Sequence, residues 1–240
     1  MPKRRLDLLL VERGLAESCH KAQALILAGE VMVEGEAASK SAGLVDEAAS
    51  IELRQPPPFV SRGGLKLAHA LDEFRLDMAG LVVADIGAST GGFTDCLLQR
   101  GASKVYAVDV GRGQLDYRLR QDPRVVVLER VNARYLIPIS EKIDLATIDV
   151  SFISVTKVTP SAVSLLKEKG SLIVLIKPQF EALRKEVGLG GVVKDPQVHA
   201  LVLSRFIAWA TAQGFRLKGL VASPILGPAG NREFFVWLRI

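Results

Sequence analysis

The sequence predicts an α/β fold, a mostly parallel sheet of seven strands with helices on both faces, preceded by a small α+β module. Three observations lead to this prediction. Apolar runs alternate with helical patterns from about residue 80 onward, one proline-rich stretch interrupts the chain near residue 56, and the glycine-rich segment ADIGASTGGF follows the first apolar run of the larger part. Strands that alternate with helices form a parallel sheet whose two faces are both covered.

Seven strands are predicted in the larger part, over residues 82–87, 104–109, 125–128, 143–149, 172–177, 216–221 and 234–239. Helices are predicted around residues 94–100, 155–167 and 196–212. Only a loop separates the last two strands, so we expect them to pair as a hairpin. A seven-stranded sheet that ends in a hairpin is typical of class I, Rossmann-like methyltransferases.

The stretch QPPP at 55–58 is the best candidate for a domain boundary, because clustered prolines favour linkers. We expect a first domain over 1–54, a linker over 55–60 and a second domain over 61–240. The first domain shows an apolar stripe from Leu6 to Val11, a second helix preceded by Ser18 as its cap, and short strands at 31–33 and 51–53.

Composition limits the possible partners and compartments. The formal net charge of +5 divides into −2 over residues 1–60 and +7 over residues 61–240. Such a charge permits a polyanionic partner without requiring one. The two cysteines, Cys19 and Cys96, are too few for a disulfide framework and fit a reducing cytoplasm. Three scattered histidines have no metal-ligand spacing, so no metal is expected.

The chain shows no targeting or membrane-spanning signal. Its start, MPKRRLDLLLVERG, lacks the long apolar core of a secretory signal. The longest stretch without a charged residue, 219–231, contains 13 residues and two prolines, whereas a spanning helix needs about 20 apolar residues. We therefore expect a cytoplasmic protein that does not enter the membrane.

The segment ADIGASTGGF, at 84–93, allows three interpretations. It contains G-x-S-x-G, the nucleophile motif of serine hydrolases, with Asp149 and His199 in the order of that triad. However, Ser89 follows the first strand of its domain, and no oxyanion loop precedes it. A dinucleotide site needs G-x-G-x-x-G, and Ser89 replaces the second glycine. Both interpretations are therefore disfavoured.

The third interpretation is an S-adenosylmethionine site, because ligands of open α/β sheets bind beyond the carboxyl ends of the strands. Asp85, ahead of the glycine turn, suits the ammonium of the methionine moiety. Asp109, at the end of the next strand, suits the ribose hydroxyls. Asn132, after the third strand, is a candidate contact for adenine. The loop itself would contribute its backbone and side chains at Gly87, Ser89, Gly91, Gly92 and Phe93.

The methyl acceptor is indicated by the residues that end later strands. Amino-methyltransferases often carry an Asp-Pro-Pro-Tyr loop after the fourth strand, whereas this chain has DVSF at 149–152. Carbon methylation of cytosine needs a nucleophilic cysteine, and neither cysteine is suitably located. Hydroxyl methylation needs a base, and Lys177 ends an apolar strand that Pro178 terminates.

Taken together, the motifs resemble the TlyA (hemolysin A) family of FtsJ-type ribosomal RNA 2′-O-methyltransferases. The motifs that carry the resemblance are VSRGGLKL at 60–67, DIGASTGGFTD at 85–95, IDVSFIS at 148–154, LIKPQFE at 175–181 and GNREF at 230–234. The resemblance implies S-adenosyl-L-methionine as cofactor and a Lys-Asp-Lys-Glu tetrad at Lys66, Asp149, Lys177 and Glu233. Lys177 would deprotonate the ribose 2′-hydroxyl, and Lys66 would hold the substrate and favour the neutral form of Lys177. Asp149 and Glu233 would orient the lysines.

The first domain is similar to the RNA-binding domain first known from small-subunit ribosomal protein S-four. The similarity lies in RLD at 5–7, LVERGLAES at 10–18, AQALI at 22–26 and GEVMVEG at 29–35. It departs at Cys19-His20, where serine and arginine are common. The candidate RNA-binding residues are Lys3, Arg4, Arg5, Arg13, Lys21 and, in the second domain, Arg62.

The resemblance implies that ribosomal RNA or a ribosomal subunit is the partner, with a cytidine ribose as the methyl acceptor. Short members of the family resemble those that modify only large-subunit RNA. No obligate protein partner is evident from the sequence. Two alternatives remain, an RNA-binding protein with an inactive methyltransferase fold and a membrane-lytic hemolysin. The intact tetrad argues against the first alternative, and the lack of a spanning segment argues against the second.

Overall fold

The computed structural model describes residues 2–54, 57–135 and 137–240. The chain divides into two compact units, Met1–Pro57 and Pro58–Ile240. The linker predicted over 55–60 begins with Gln55 and Pro56, which lie outside the described residues.

Among the residues that the structure describes, the smaller unit contains two helices and five short strands. In chain order these are β1 (Lys3–Arg5), α1 (Leu6–Glu12), α2 (Cys19–Leu27), β2 (Val31–Val33), β3 (Glu36–Ala37), β4 (Leu44–Asp46) and β5 (Ile51–Leu53). The strands β1 and β4 form one antiparallel pair, and β3, β2 and β5 form a second small sheet in that order.

A compact apolar core holds the smaller unit together, with Leu6 and Leu10 of α1 packed against Ala22 and Ile26 of α2 and Val31 of β2. The expected cap is present, because the side chain of Ser18 accepts a hydrogen bond from the backbone N–H of Lys21 at 3.2 Å.

The larger unit begins with α3 (Arg62–Phe74), β6 (Val82–Ile86), α4 (Gly92–Gln99), β7 (Lys104–Val108), α5 (Tyr117–Gln121), β8 (Val125–Leu128) and β9 (Ile143–Ile148). It continues with α6 (Thr159–Leu165), β10 (Leu166–Ile176), α7 (Pro178–Glu181), α8 (Pro196–Ala212), β11 (Arg216–Ala222) and β12 (Phe234–Arg239).

These strands form one sheet in the order β11-β12-β10-β9-β6-β7-β8. The five strands β6 to β10 pair in parallel, and β12 pairs antiparallel with both β10 and β11. The order reverses at β6, which lies between β7 and β9, so this strand marks the topological switch point of the sheet. The predicted fold class, including the terminal hairpin, is confirmed.

Helices cover both faces of the sheet. The side chains of α6 and α8 pack on one face, and those of α3 and α4 pack on the other. Successive side chains of β12 point to opposite faces of the sheet: Phe235 packs on the α3–α4 face and Val236 on the α6–α8 face. In the part of the chain that the structure describes, no helix is long and apolar enough to cross a membrane.

The clearest difference from prediction lies between β9 and β10. The helix predicted over 155–167 is a 3₁₀ turn, Val155–Lys157, followed by α6, and it ends at Leu165. The chain then becomes extended because Leu166 pairs with Ile143 of β9, five residues before the main register resumes at Ser171. Pairing with a distant strand thus overrides the local helical pattern.

Candidate active site

The loops that follow the parallel strands enclose two adjoining cavities at the carboxyl edge of the sheet. The larger, of about 770 Å³, extends toward α3 and the loop before β12, and we call it the catalytic cavity because the four predicted tetrad residues line it. The smaller, of about 510 Å³, extends toward the ends of β7 and β8, and we call it the nucleoside cavity because the predicted adenosine contacts line it. Both are lined by Gly87, Ser89, Asp149, Ser151 and Phe152, which form the boundary between them.

The glycine-rich loop lies against the end of β9. The N–H of Gly87 donates to the carbonyl of Val108 at 2.8 Å, and its φ of +89° lies in the left-handed region. A Cβ at this position would lie 2.3 Å from the carbonyl oxygen of Asp149, so only glycine fits. The loop backbone therefore reaches the boundary of both cavities without side-chain obstruction.

The start of α4 packs just as closely on its neighbours. A Cβ at Gly92 would lie 2.2 Å from Ser61 Oγ, and one at Gly91 would lie 2.3 Å from Leu119 Cδ1. Phe93 is buried, with its ring centroid 6.0 Å from that of Phe235, and it lines the catalytic cavity. The beginning of α4 is thus fixed between α3, α5 and β12.

Asp85 is fully buried beneath this loop. Its two carboxylate oxygens accept hydrogen bonds from the hydroxyls of Thr94, at 2.7 Å, and Thr147, at 3.0 Å. Burial raises its pKa to about 7 despite these hydrogen bonds. The two hydrogen bonds of Asp85 link β6 to α4 and to β9. Asp85 lines neither cavity, and its contact with an ammonium group stays a prediction.

Asp109 and Asn132 both line the nucleoside cavity, and their contacts with ribose and adenine stay predictions. Asp109 accepts hydrogen bonds from the N–H groups of Ser89, at 2.8 Å, and Gly111, at 2.6 Å. These bonds link the glycine-rich loop to the end of β7 and fix the orientation of the carboxylate. Asn132 accepts a hydrogen bond from the N–H of Arg134 at 3.1 Å.

Two lysine–carboxylate pairs face the catalytic cavity. Lys66 Nζ, on α3, lies 2.5 Å from Glu233 Oε2, just before β12, and both side chains are at least nine-tenths buried. Lys177 Nζ, after β10, lies 2.6 Å from Asp149 Oδ1, after β9. All four residues line the same cavity, so the structure brings the proposed tetrad together.

Next to the second pair lies Ser151, a residue that the sequence analysis missed. Lys177 Nζ also donates to Ser151 Oγ at 3.0 Å. Its approach to Asp149 Oδ1 lies outside the angular range of a hydrogen bond, so that contact is an ion pair. Ser151 follows β9 in the quoted motif IDVSFIS, and its position two residues after Asp149 was the only available signal.

Phe152 was also missed, although it is a bulky residue with a positive φ near the site. It lines both cavities, it is 91% exposed, and its φ is +64°. Its ring centroid lies 5.1 Å from that of Phe180, with the planes at 50°. An exposed aromatic residue held in a disfavoured backbone conformation indicates a functional rather than a packing role.

A half-buried carboxylate joins the loop that carries Asp149 to the loop that carries Lys177. Glu181, on α7, accepts hydrogen bonds from Ser154 Oγ at 2.6 Å and from the N–H of Val155 at 2.8 Å. Burial raises the pKa of Glu181. Its partners follow β9, whereas Glu181 itself follows β10, so this contact holds the loop of Asp149 against the loop of Lys177.

Asn231, which lines the catalytic cavity, also connects two segments of the chain by hydrogen bonds. It is 1% exposed, and its amide accepts from the N–H of Val193 at 2.9 Å and donates to the carbonyl of Gly191 at 3.0 Å. These bonds fix the loop that precedes α8 to the segment that carries Glu233.

The candidate RNA-binding residues of the smaller unit are partly engaged within it. Arg4 forms ion pairs with Glu12 and Glu47, and Arg13 donates to the carbonyl of Ala49 at 2.8 Å and to that of Glu47. These contacts help to hold the unit together. An arginine in such a contact keeps further donors for a phosphate.

Arg5 pairs with Asp7 at 2.7 Å, and hydrogen bonds from Arg5 and Gln23 lower the pKa of the Asp7 carboxyl to about 2. Among the described residues, Lys3 and Lys21 form no ion pair. In the larger unit, Arg62 lines the catalytic cavity and donates to the carbonyl of Leu226 at 2.7 Å.

The hydrolase triad is not assembled. His199 lies on α8, where Nε2 donates to the carbonyl of Val193 at 2.9 Å and the ring packs edge-on against Phe234. It lines neither cavity that contains Ser89. Cys96 is buried in α4, and burial raises the pKa of its thiol to about 12, which excludes it as a nucleophile.

Comparison with solved structures defines the class of this fold. A geranyl diphosphate methyltransferase solved in complex with S-adenosylmethionine superposes with a TM-score of 0.53 over 73% of this chain and 84% of its own, at 14% identity. This likeness concerns the fold alone, which is that of a Rossmann-like methyltransferase.

Sequence comparison then gives the family. The model of the FtsJ-like methyltransferases matches residues 59–240, and that of the S4 domain matches residues 4–49. The chain belongs to the FtsJ-like methyltransferase family and carries an S4 domain ahead of the methyltransferase region.

Close relatives extend over both regions. The chain is 47% identical to the 16S/23S rRNA (cytidine-2′-O)-methyltransferase TlyA of Mycobacterium tuberculosis, over 98% of this chain and 89% of the relative. It is 42% identical to Hemolysin A of Brachyspira hyodysenteriae, over 96% and 97%. A solved structure from Streptococcus thermophilus, described as that of a presumed hemolysin, has a TM-score of 0.75 at 43% identity, over 100% and 89%.

Proposed function

We propose that this protein transfers a methyl group from S-adenosyl-L-methionine to the 2′-hydroxyl of a ribose, that of a cytidine, in ribosomal RNA. The observation that carries the proposal is the convergence of two lysine–carboxylate pairs on one cavity, beside a second cavity lined by Asp109 and Asn132. The name of the M. tuberculosis relative supports the same substrate.

The residues between the two cavities fit the cofactor. A cradle that a Cβ at Gly87 would fill lies between them, and Ser89 lines both sides. We propose that Asp109 accepts the ribose hydroxyls, that Asn132 contacts adenine, and that the backbone at Gly87, Ser89, Gly91 and Gly92 borders the methionine moiety. When bound, S-adenosylmethionine supplies a methyl carbon on a positively charged sulfur.

The chain's own part in the reaction is to remove a proton and to hold the nucleophile. Lys177 Nζ accepts the proton of the 2′-hydroxyl, and the carboxylate of Asp149 stabilises the ammonium that results. Ser151 takes up one N–H of the amine, so the lone pair of the neutral lysine keeps a fixed direction. Lys66, held by Glu233, keeps donors for the oxygen atoms of the ribose.

An exposed aromatic residue at the boundary of the cavities suits a nucleotide substrate. Specific RNA recognition often stacks an unpaired base on an aromatic ring. We propose that Phe152, supported by Phe180, supplies that stacking surface and so brings the ribose of the same nucleotide to Lys177. A base that leaves its helix loses stacking, and the aromatic ring restores part of it.

The S4 domain supports an RNA partner, with Lys3, Arg4, Arg5, Arg13 and Lys21 as the proposed phosphate contacts and Arg62 as the contact at the catalytic cavity. A ribosomal RNA or ribosomal subunit as substrate implies action in the cytoplasm. The alternative of an inactive methyltransferase fold is disfavoured because all four tetrad residues line one cavity.

The experiment is mass mapping of ribosomal RNA after incubation with the protein and S-adenosylmethionine. The proposal predicts one added methyl group on a ribose of a cytidine, which blocks alkaline cleavage at that nucleotide. A methyl group on a base, or no methylation of free RNA and of both subunits, would contradict it.

A further inference from the structure

A third cavity, of about 540 Å³, lies beside the catalytic cavity on the α8 face of the sheet. We call it the α8 cleft. It is lined by Lys194, Pro196, His199, Ala200, Leu203, Arg232 and Phe234. None of these residues has a role in the proposed reaction, so the cleft has no assignment.

The α8 cleft lies at the same edge of the sheet as the catalytic cavity. In the antiparallel pair of β10 and β12, Ile176 is opposite Phe234, so the residues just before β12 are next to Lys177. Asn231 and Glu233 are buried and line the catalytic cavity, whereas Arg232 between them is exposed and lines the cleft. One short segment therefore forms a wall of both cavities.

The two charged side chains that line the cleft are both positive. Both cations, Lys194 and Arg232, are exposed, and neither forms an ion pair with any residue that the structure describes. No carboxylate of the described residues lines the cleft. The adjacent Asp195 accepts a hydrogen bond from the N–H of Gln197 at 2.8 Å, where it caps α8.

The backbone segments that carry the two cations are linked to each other. Asn231 binds the N–H of Val193, which directly precedes Lys194, and Asn231 itself directly precedes Arg232. The floor of the cleft is rigid, because His199 packs against Phe234 and donates to the carbonyl of Val193. Two like charges that border one concave site attract an anion more strongly than scattered surface cations do.

We infer that the α8 cleft binds the phosphodiester backbone of the RNA next to the nucleotide whose ribose enters the catalytic cavity. The inference rests on the proposed function for the identity of the polyanion. Phosphate contacts of this kind fix the register of a nucleic acid on a protein and carry no sequence information. The cleft would thus align the strand so that one particular ribose reaches Lys177.

The test uses the full chain with the double substitution Lys194→Gln and Arg232→Gln. The matched control is Arg216→Gln with Lys218→Gln, which removes the same charge from two exposed positions of the edge strand β11. Binding of transcribed ribosomal RNA is measured by filter retention between 50 and 200 mM KCl, together with thermal unfolding and S-adenosylmethionine binding.

We expect the cleft variant to bind RNA more weakly. Its plot of log binding constant against log salt concentration should be less steep, by about 0.7 to 0.9 for each lost phosphate contact. Its unfolding and its cofactor affinity should match the wild type, and the control variant should keep the wild-type slope. An unchanged slope in the cleft variant, an equal fall in the control, or a wild type without salt-dependent RNA binding would overturn the inference. If the wild type binds RNA but does not methylate it, the proposed function fails while the slope still tests the cleft.

Discussion

The ammonium of Lys177 lies 2.6 Å from Oδ1 of Asp149, so the residues that directly follow β10 and β9 meet in one ion pair. The two strands are parallel neighbours, and their carboxyl ends lie side by side. The geometry of this pair depends on the loops that extend beyond the strands, and the contacts between those loops can be tested one at a time.

Glu181 should position Lys177 and Asp149 without contacting the substrate. Its carboxylate accepts from both Ser154 and the N–H of Val155. A glutamine has only one acceptor oxygen and no charge, so one of these donors loses its acceptor and the other loses a charged one. Glu181→Gln should therefore lower kcat by up to about 100-fold, because misplaced catalytic groups cost rates of this order.

The KM for RNA and the affinity for S-adenosylmethionine should change little in this variant. Steady-state methyl transfer and cofactor titration check both expectations, with Glu168→Gln, at an exposed position of β10, as the control. A Glu181→Gln enzyme with wild-type kcat would show that the contact between the loops is dispensable.

Gly87 should tolerate no side chain. Gly87→Ala would place a Cβ 2.3 Å from the carbonyl of Asp149 at a left-handed backbone position. We expect a loss of about 3 kcal/mol or more of unfolding free energy, and loss of cofactor binding.

The matched control is Gly113→Ala, which has a φ of +72° and no atom within 4 Å of the new Cβ, so it should cost only about 1 kcal/mol. Urea unfolding and S-adenosylmethionine titration compare the two variants. If both variants lose the same unfolding free energy, the requirement for glycine at position 87 comes from the backbone conformation and not from the contact with Asp149.

Phe152 should matter for RNA and not for folding. Phe152 is 91% exposed, so Phe152→Ala should leave the unfolding free energy nearly unchanged. A lost stacking contact of about 1–3 kcal/mol should raise the KM for RNA roughly tenfold to a hundredfold. Tyr117→Ala, which removes an exposed ring outside both cavities, is the control for methylation kinetics. A KM equal to that of the wild type would exclude the stacking role.

Asp85 should make the folded state sensitive to pH. Burial raises its pKa from 3.8 to about 7, so the folded protein binds this proton more tightly than the unfolded chain does. The resulting stabilisation is complete below pH 3.8 and is lost as the pH rises to about 7. Asp85→Asn, which can keep hydrogen bonds with Thr94 and Thr147, should lack this loss.

Urea unfolding at several pH values checks the comparison. The stability of the wild type relative to Asp85→Asn should fall between about pH 4 and pH 7 and then stay level. A constant difference between the two proteins over this range would mean that Asp85 is ionised in the folded state.

The sequence could predict the site positions that lie directly after parallel strands. Asp109, Asp149 and Lys177 each follow an apolar strand, and parallel strands bring such positions to one edge of the sheet. The terminal hairpin was predicted from the loop that alone separates its two strands, whereas the order of the strands in the sheet was not predicted.

Contacts between distant loops could not be predicted in this way. The position of Asp85 ahead of the glycine turn was predicted, but its hydrogen bond from Thr147, 62 residues away on β9, was not. Arg13 is engaged by carbonyl groups 34 and 36 residues further along the chain. The helix predicted over 155–167 ends early because Leu166 joins a strand that no local pattern reveals. Each difference arises from tertiary contacts that compete with local preference.

The most direct test of the central claim is single-turnover methyl transfer to ribosomal RNA by Lys177→Ala, with the 2′-O-methyl group quantified by mass spectrometry. The account predicts that the rate falls about a thousandfold, since a general base contributes roughly 10²–10⁴-fold, while S-adenosylmethionine binding stays near that of the wild type. Lys157→Ala, at an exposed position, should keep the wild-type rate. A Lys177→Ala enzyme that binds the cofactor and methylates the ribose at the wild-type rate would contradict the account.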